Sequence, residues 1–169
     1  TSSTTAMLVM GDALAMAVLK ARGFRKEDFA TRHPAGAIGR ALLLRVKDVM
    51  RSGERHPVAS DQVTIKEALM VMSKAKSGCV CLVNESERLV GVFTDGDLRR
   101  CLAAPHFSLD ESVDLVMTRQ PVTIQKEALA VEALNLFDQR PIDDLIVVDE
   151  NERPVGLIDS QDLPKMKWL

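Results

Sequence analysis

Apolar residues recur at three- and four-residue spacing from Thr4 to Ala21, with Met7, Leu8, Met10, Leu14, Val18 and Leu19 on a helical pattern. The Ser/Thr cluster ahead of them supplies N-caps and Gly23 supplies a stop. A second short helix is predicted near Lys26 to Arg32. It ends at His33-Pro34, because a residue before proline avoids the α region. Ala35-Gly-Ala-Ile-Gly39 follows, then a helical stretch at Ala41 to Leu44. Further on, strand and helix patterns alternate. Pro57 to Ala59 starts extended, and Thr64 to Lys74 reads as an amphipathic helix with Ile65, Ala68, Leu69 and Met72 inward. Cys79 to Val83 reads as a buried strand, Asn84 to Arg88 as a polar turn, Leu89 to Phe93 as a strand and Asp95 to Leu102 as a helix. The same order recurs at Pro121 to Ile124, Leu129 to Phe137, Leu145 to Val148, Pro154 to Ile158 and Gln161 to Met166.

That recurrence is an internal repeat. Glu67-Ala-Leu69 lies on Glu132-Ala-Leu134. At the same offset, without further gaps, Val83 falls on Val148, Glu87-Arg88 on Glu152-Arg153, Val90-Gly91 on Val155-Gly156 and Asp97-Leu98 on Asp162-Leu163. Upstream, Val49-Met50 matches Val116-Met117 with a small change in length. Self-similarity that keeps its register outranks other indications of fold. Each copy is too small for an independent core, so the two are expected to pack on each other.

Composition narrows the function classes. The chain has 169 residues, with 22 Lys and Arg against 24 Asp and Glu, a formal charge of −2. That balance leaves no electrostatic footprint for nucleic acid. Aromatic residues make up 4% with no Tyr, which argues against stacking of single strands. Uninterrupted apolar runs such as Ala13 to Leu19 fall short of the ~18 residues of a membrane span, so no membrane partner is expected. No signal peptide pattern opens the chain. It starts on Thr1-Ser-Ser-Thr-Thr5 without Met, as expected of a piece cut from a longer protein. Three cysteines make no disulfide framework; Cys79 and Cys81 share a strand face and are expected to be plain thiols in a reducing cytoplasm. His33, His56 and His106 are too scattered to complete a metal site with them.

The repeats resemble cystathionine-β-synthase (CBS) motifs, on Val49-Met50, on Leu89-Val-Gly-Val-Phe-Thr-Asp-Gly-Asp-Leu98 and on their second copies. The first 46 residues are similar to the end of a sugar-isomerase (SIS) domain of D-arabinose-5-phosphate isomerases. The likeness lies in Thr1 to Leu14, Ala21-Arg-Gly-Phe24, Glu27-Asp-Phe-Ala30 and His33-Pro-Ala-Gly-Ala-Ile-Gly39. Phe93 to Arg100 matches the same enzymes. Ala35 departs from them, standing where the family usually has Gly. The resemblance implies an α/β (α+β type) fold. Residues 1–46 would be an SIS remnant, 47–106 a first CBS domain and 107–169 a second. It implies a parent that interconverts D-arabinose 5-phosphate and D-ribulose 5-phosphate for lipopolysaccharide synthesis, with no cofactor for catalysis. His33 would be one of its catalytic residues; the residues alone fit a helix cap equally well. No Gly-rich phosphate loop or Ser-x-Ser-Gly loop is present, so this chain alone is expected to be inactive, and its N-terminal helices to pack on a neighbouring copy or order poorly.

What remains is ligand binding. The pattern Gly-x-x-Thr-x-x-Asp is complete in copy one as Gly91, Thr94 and Asp97. Thr94 and the helix N–H groups would face a phosphate, Asp97 would accept the ribose hydroxyls, and Arg99 and Arg100 would add charge. The base would slip between Val58-Ala59 and the strand near Val80. An N-cap with a first-turn acid explains Thr94 and Asp97 as well. Copy two has Asp159 where Thr is expected, and a carboxylate ~5 Å from a phosphate costs roughly 3 kcal/mol. The Thr94/Asp97 site is therefore expected to be the occupied one. The ligand classes implied are an adenine nucleotide or the activated sugar CMP-Kdo; the competing reading is a structural pair that binds nothing. Self-association through Met70, Met72, Leu134 and Phe137 would give a dimer, within a tetrameric parent.

Overall fold

The computed structural model describes residues 1–24, 28 and 44–163. The second short helix, His33, Ala35 and the stretch 41–43 lie outside the described residues. The chain divides into two compact units, residues 1–43 and 44–169.

In the first unit, α1 spans Ser2–Ala21. Gly23 takes φ +62°, and Phe24 N–H reaches back to Leu19 O at 3.0 Å, so the helix stops where the glycine was expected to stop it. None of its residues is buried. Val9 and Met16 are exposed along with the stripe of Met7, Leu8, Met10 and Leu14, so α1 is apolar all round rather than on one face. With a mean hydropathy of 1.4 over an 18-residue window, this 20-residue helix is long and apolar enough to cross a membrane, a property that counting only uninterrupted runs missed.

The second unit holds both repeats. After a short helix α2 (Val46–Val49), copy one runs β1 (Val58–Ser60), α3 (Ile65–Ala75), β2 (Cys79–Val83), β3 (Leu89–Thr94) and α4 (Asp95–Leu102). Then come β4 (Thr118–Arg119), β5 (Thr123–Gln125), α5 (Ala130–Gln139), β6 (Asp144–Val148) and β7 (Pro154–Asp159). The helix expected at Gln161 to Met166 is a 3-10 turn over Ser160–Asp162, and residues beyond 163 are not described.

The sheets are β1-β2-β3-β4 and β5-β6-β7, each with a parallel first pair and an antiparallel second pair. The two hairpins are built alike. Asn84 Oδ1 accepts from Ser86 and Arg88 N–H, and Asp149 Oδ1 from Asn151 and Arg153 N–H, with Glu87 and Glu152 at positive φ and a register shift beside each turn. Asx side chains stabilise such turns by mimicking a backbone turn.

The copies are interlocked. Arg51, upstream of copy one, pairs with Leu157 on β7 of copy two, while Thr118, upstream of copy two, pairs with Val92 on β3 of copy one. Val46 N–H donates to Ala128 O and Ala130 N–H to Leu44 O; in mirror fashion Ile65 N–H donates to Glu111 O. Each core therefore mixes segments. Val113 and Met117 join Ile65, Val80 and Phe93, whereas Val46 joins Leu145, Val147 and Ile158. A third cluster of Cys79, Cys81, Val92, Ile146, Val148 and Leu157 packs sheet on sheet between the copies. Met72 is buried in the first core, which removes it as a contact residue, while Met70 is exposed and Leu134 and Phe137 are half-buried.

Candidate functional site

The N-terminus of α4 is set by a capping box. Thr94 Oγ1 accepts from Asp97 N–H at 3.1 Å, and Asp97 Oδ2 accepts from Thr94 N–H at 2.8 Å and from Thr94 Oγ1–H at 2.7 Å. The other Asp97 oxygen accepts from Thr118 Oγ1 at 3.0 Å and pairs with Arg100. Asp97 is 2% exposed, and both of its oxygens are engaged by protein groups. It is the buried hub that ties β4 to α4. The first N–H of the helix, that of Asp95, donates to Gly78 O at 2.9 Å. The Thr94 hydroxyl and this N–H are thus engaged within the fold.

The sequence-predicted residues separate accordingly. Thr94, Arg99 and Arg100 line a cleft of about 920 Å³ that runs between the copies. Asp97 lies beneath its wall. Gly91 faces Met117, whose Sδ would be 2.5 Å from an added Cβ. Val80 is buried in the first core. Val58 and Ala59 pair directly with Cys81 and Leu82 of β2, so β1 and β2 are adjacent strands. Among the described residues, no group of three or more His, Cys, Asp or Glu could hold a metal ion.

Sequence reasoning missed the opposite wall. There Arg51 reaches from the segment before copy one into copy two, its Nη2 2.9 Å from Asp159 Oδ2 and its Nε 2.6 Å from Asp162 Oδ2. Burial lowers the Arg51 pKa, but its hydrogen bond to Asp162 and the two carboxylate charges outweigh that and raise it. The position could have been found, since Arg51 follows Val49-Met50 as Thr118 follows Val116-Met117. Asp143 and Asp144 also line this side, and Lys76 and Asp95 the other. Burial, with the charges of Asp159 and Asp143, pushes the Asp144 carboxyl up to about 6. All three cysteines are free and buried. Burial, then the charge of Asp144, pushes the Cys81 thiol up to about 12 and that of Cys79 further in the same direction, so neither ionises near neutrality.

The volume suits a small-molecule site, and the cations at the α4 end, Lys76, Arg99 and Arg100, suit an anionic ligand. The family model described as CBS domain matches residues 46–104 and 112–165. The chain belongs to the CBS-domain family. This CBS pair is 47% identical over 163 residues to "Arabinose 5-phosphate isomerase KdsD" of Pseudomonas aeruginosa, covering 96% of the chain and 50% of that protein. Against the KdsD of Francisella tularensis it is 43% identical over 167 residues, covering 99% and 51%. The chain thus spans about half the length of the curated relatives it matches. Solved CBS proteins share its fold. The CBS pair of MJ0100, in complex with 5′-methylthioadenosine and S-adenosyl-L-methionine, superposes with TM-score 0.64 at 24% identity over 72% of this chain and 94% of that one. PAE2072 from Pyrobaculum aerophilum, complexed with AMP, gives TM-score 0.64 at 22% identity over 71% and 90%.

Proposed function

We propose that the chain is the regulatory, nucleotide-binding CBS pair of an arabinose-5-phosphate isomerase and is not itself catalytic. The observation that carries the binding reading is the cleft between the copies, with Lys76, Arg99 and Arg100 gathered at the α4 end. The similarity to KdsD proteins over nearly the whole of this chain, and about half of theirs, supports the isomerase parent. In that parent His33 would belong to the sugar site, where aldose–ketose isomerisation needs a proton carrier between adjacent carbons. The AMP and S-adenosylmethionine complexes of structural relatives support an adenine nucleotide as one ligand class. A nucleotide sugar such as CMP-Kdo is the other, because it carries base, ribose and phosphate and would report the end product. The phosphate would meet Arg99, Arg100 and Lys76. Thr94 and Asp97 would act indirectly, by fixing the α4 terminus that presents them.

A thermal-shift screen with AMP, ATP, CMP and CMP-Kdo tests this. A ligand at 100 times its Kd adds about 2.7 kcal/mol. That is several degrees for a domain of this size. The shift is expected to vanish in Arg99→Gln/Arg100→Gln. Asp97→Ala is not a clean control, since it removes a buried hub. No shift with any of the four favours a purely structural, oligomerising pair.

A further inference from the structure

We propose that this pair holds one nucleotide rather than two, because the copy-two half of the cleft is closed to a phosphate by its own Arg51–Asp159–Asp162 ion triad. The inference rests on the nucleotide reading above and adds its stoichiometry and the residues that set it.

The two halves occupy equivalent positions. In the repeat register Thr94 falls on Asp159 and Asp97 on Asp162. Val92, opposite Thr118, falls in the same register on Leu157, opposite Arg51. Copy one therefore has Thr, Asp and Thr where copy two has Asp, Asp and Arg. The chemistry of the two trios differs. In copy one a single carboxylate is satisfied largely by neutral donors, two hydroxyls and an N–H. Arg99 and Lys76 remain on the cleft wall, and Arg100 lies there with its side chain 70% exposed.

In copy two the guanidinium of Arg51 is divided between two carboxylates, and its side chain is 11% exposed. Asp159 also accepts from Gln161 N–H at 2.8 Å. Two carboxylates against one guanidinium leave a net negative charge, beside Asp143 and Asp144. A phosphate entering there would meet carboxylates, and would have to pull Arg51 from both partners to gain a cation. The exchanges are matched: a Thr-to-Asp difference faces a Thr-to-Arg difference, and Asp159 without Arg51 would leave two neighbouring carboxylates without a counterion.

Stoichiometry decides the matter. Calorimetric titration and equilibrium dialysis of the chain with AMP and with CMP are expected to give one equivalent, lost in Arg99→Gln/Arg100→Gln. Asp159→Asn/Asp162→Asn, which removes both carboxylates and frees the Arg51 guanidinium for a phosphate, is expected to bind two. Two equivalents on the unaltered chain overturn the inference and leave the nucleotide reading intact. So does one equivalent that survives Arg99→Gln/Arg100→Gln but is lost in Arg51→Thr, or a folded double variant that still binds one. The readouts on the unaltered chain stand even where the double variant fails to fold. No uptake of either nucleotide at millimolar concentration overturns the nucleotide reading and the inference with it.

Discussion

Asp144 is the repeat counterpart of Cys79, and the two side chains lie together where the sheets of the copies pack, each acting on the other's ionisation. Asp143, Asp159 and Arg51 also act on it, and the Asp95 carboxylate lies across Gly78 from it. Burial and the neighbouring carboxylates raise its folded pKa to about 6 from an ordinary 3.8. A raised carboxyl pKa means that the folded state holds the proton more tightly than the unfolded one. The resulting stabilisation is complete below about pH 4 and is lost as pH rises through 6. That difference corresponds to roughly 1–3 kcal/mol once partial solvent access is allowed for. Asp144→Asn keeps the shape without the charge. Relative to that variant, the chain is expected to lose about that much stability between pH 4 and pH 8 in urea unfolding. Parallel pH profiles for the two proteins would remove Asp144 as the source. Because Asp144 also lines the cleft, its ionisation adds to the negative character of the copy-two half.

At the scale of elements, the cross-copy pairing depends on two glycines at matching positions. A Cβ on Gly156 would lie 2.5 Å from Met50 Sδ and 2.8 Å from Arg51 O. On Gly91 the same atoms are Met117 Sδ at 2.5 Å and Thr118 O at 3.1 Å. A thioether can swing away, but a backbone oxygen held in a strand bridge cannot. Gly156→Ala is therefore expected to destabilise by about 2–3 kcal/mol and Gly91→Ala by about 1–2 kcal/mol, measured by chemical unfolding. Equal losses would mean that the methionines rather than the backbone set the cost. These glycines also mark what was legible in the sequence. The constant offset between the copies places strands, turns and α3 to α5 almost to the residue, because periodicity and Asx turn chemistry are local. It also places Gly91 and Gly156 in register. Which copy Val49-Met50 and Val116-Met117 join is not local, and chain order alone assigns each to the copy that follows it. The same blind spot hides Arg51, so that in the sequence Asp159 is a lone carboxylate. Asp97 reads there as a ligand-facing acceptor because Gly-x-x-Thr-x-x-Asp carries no sign of Thr118, which crosses from the other copy to bury it.

For the whole molecule, interlocking means that the repeat unit of the sequence and the folding unit of the structure do not coincide. A cut between residues 106 and 107 separates Val113 and Met117 from the core they complete, and leaves Val46 without Leu145, Val147 and Ile158. The piece 52–120 instead retains every buried member of the first core, together with the β3–β4 pairing. What it loses is the sheet-on-sheet cluster shared with Ile146, Val148 and Leu157. It also loses the turn-to-turn pairs Glu87–Arg153 and Arg88–Glu152, which are solvent-exposed and worth little. Residues 52–120 are therefore expected to unfold cooperatively in urea and to self-associate through the uncovered face of Cys79, Cys81 and Val92. Residues 44–106 are expected to show no cooperative transition. A sharp transition in 44–106 but not in 52–120 would mean that each copy folds with the segment preceding it, and the interlocked cores would then be a late docking step. With the expected order, the Thr94–Asp97–Thr118 trio is complete within 52–120, whereas Arg51 meets Asp159 and Asp162 only once copy two has formed, so the cleft between the copies is assembled when the two cores dock.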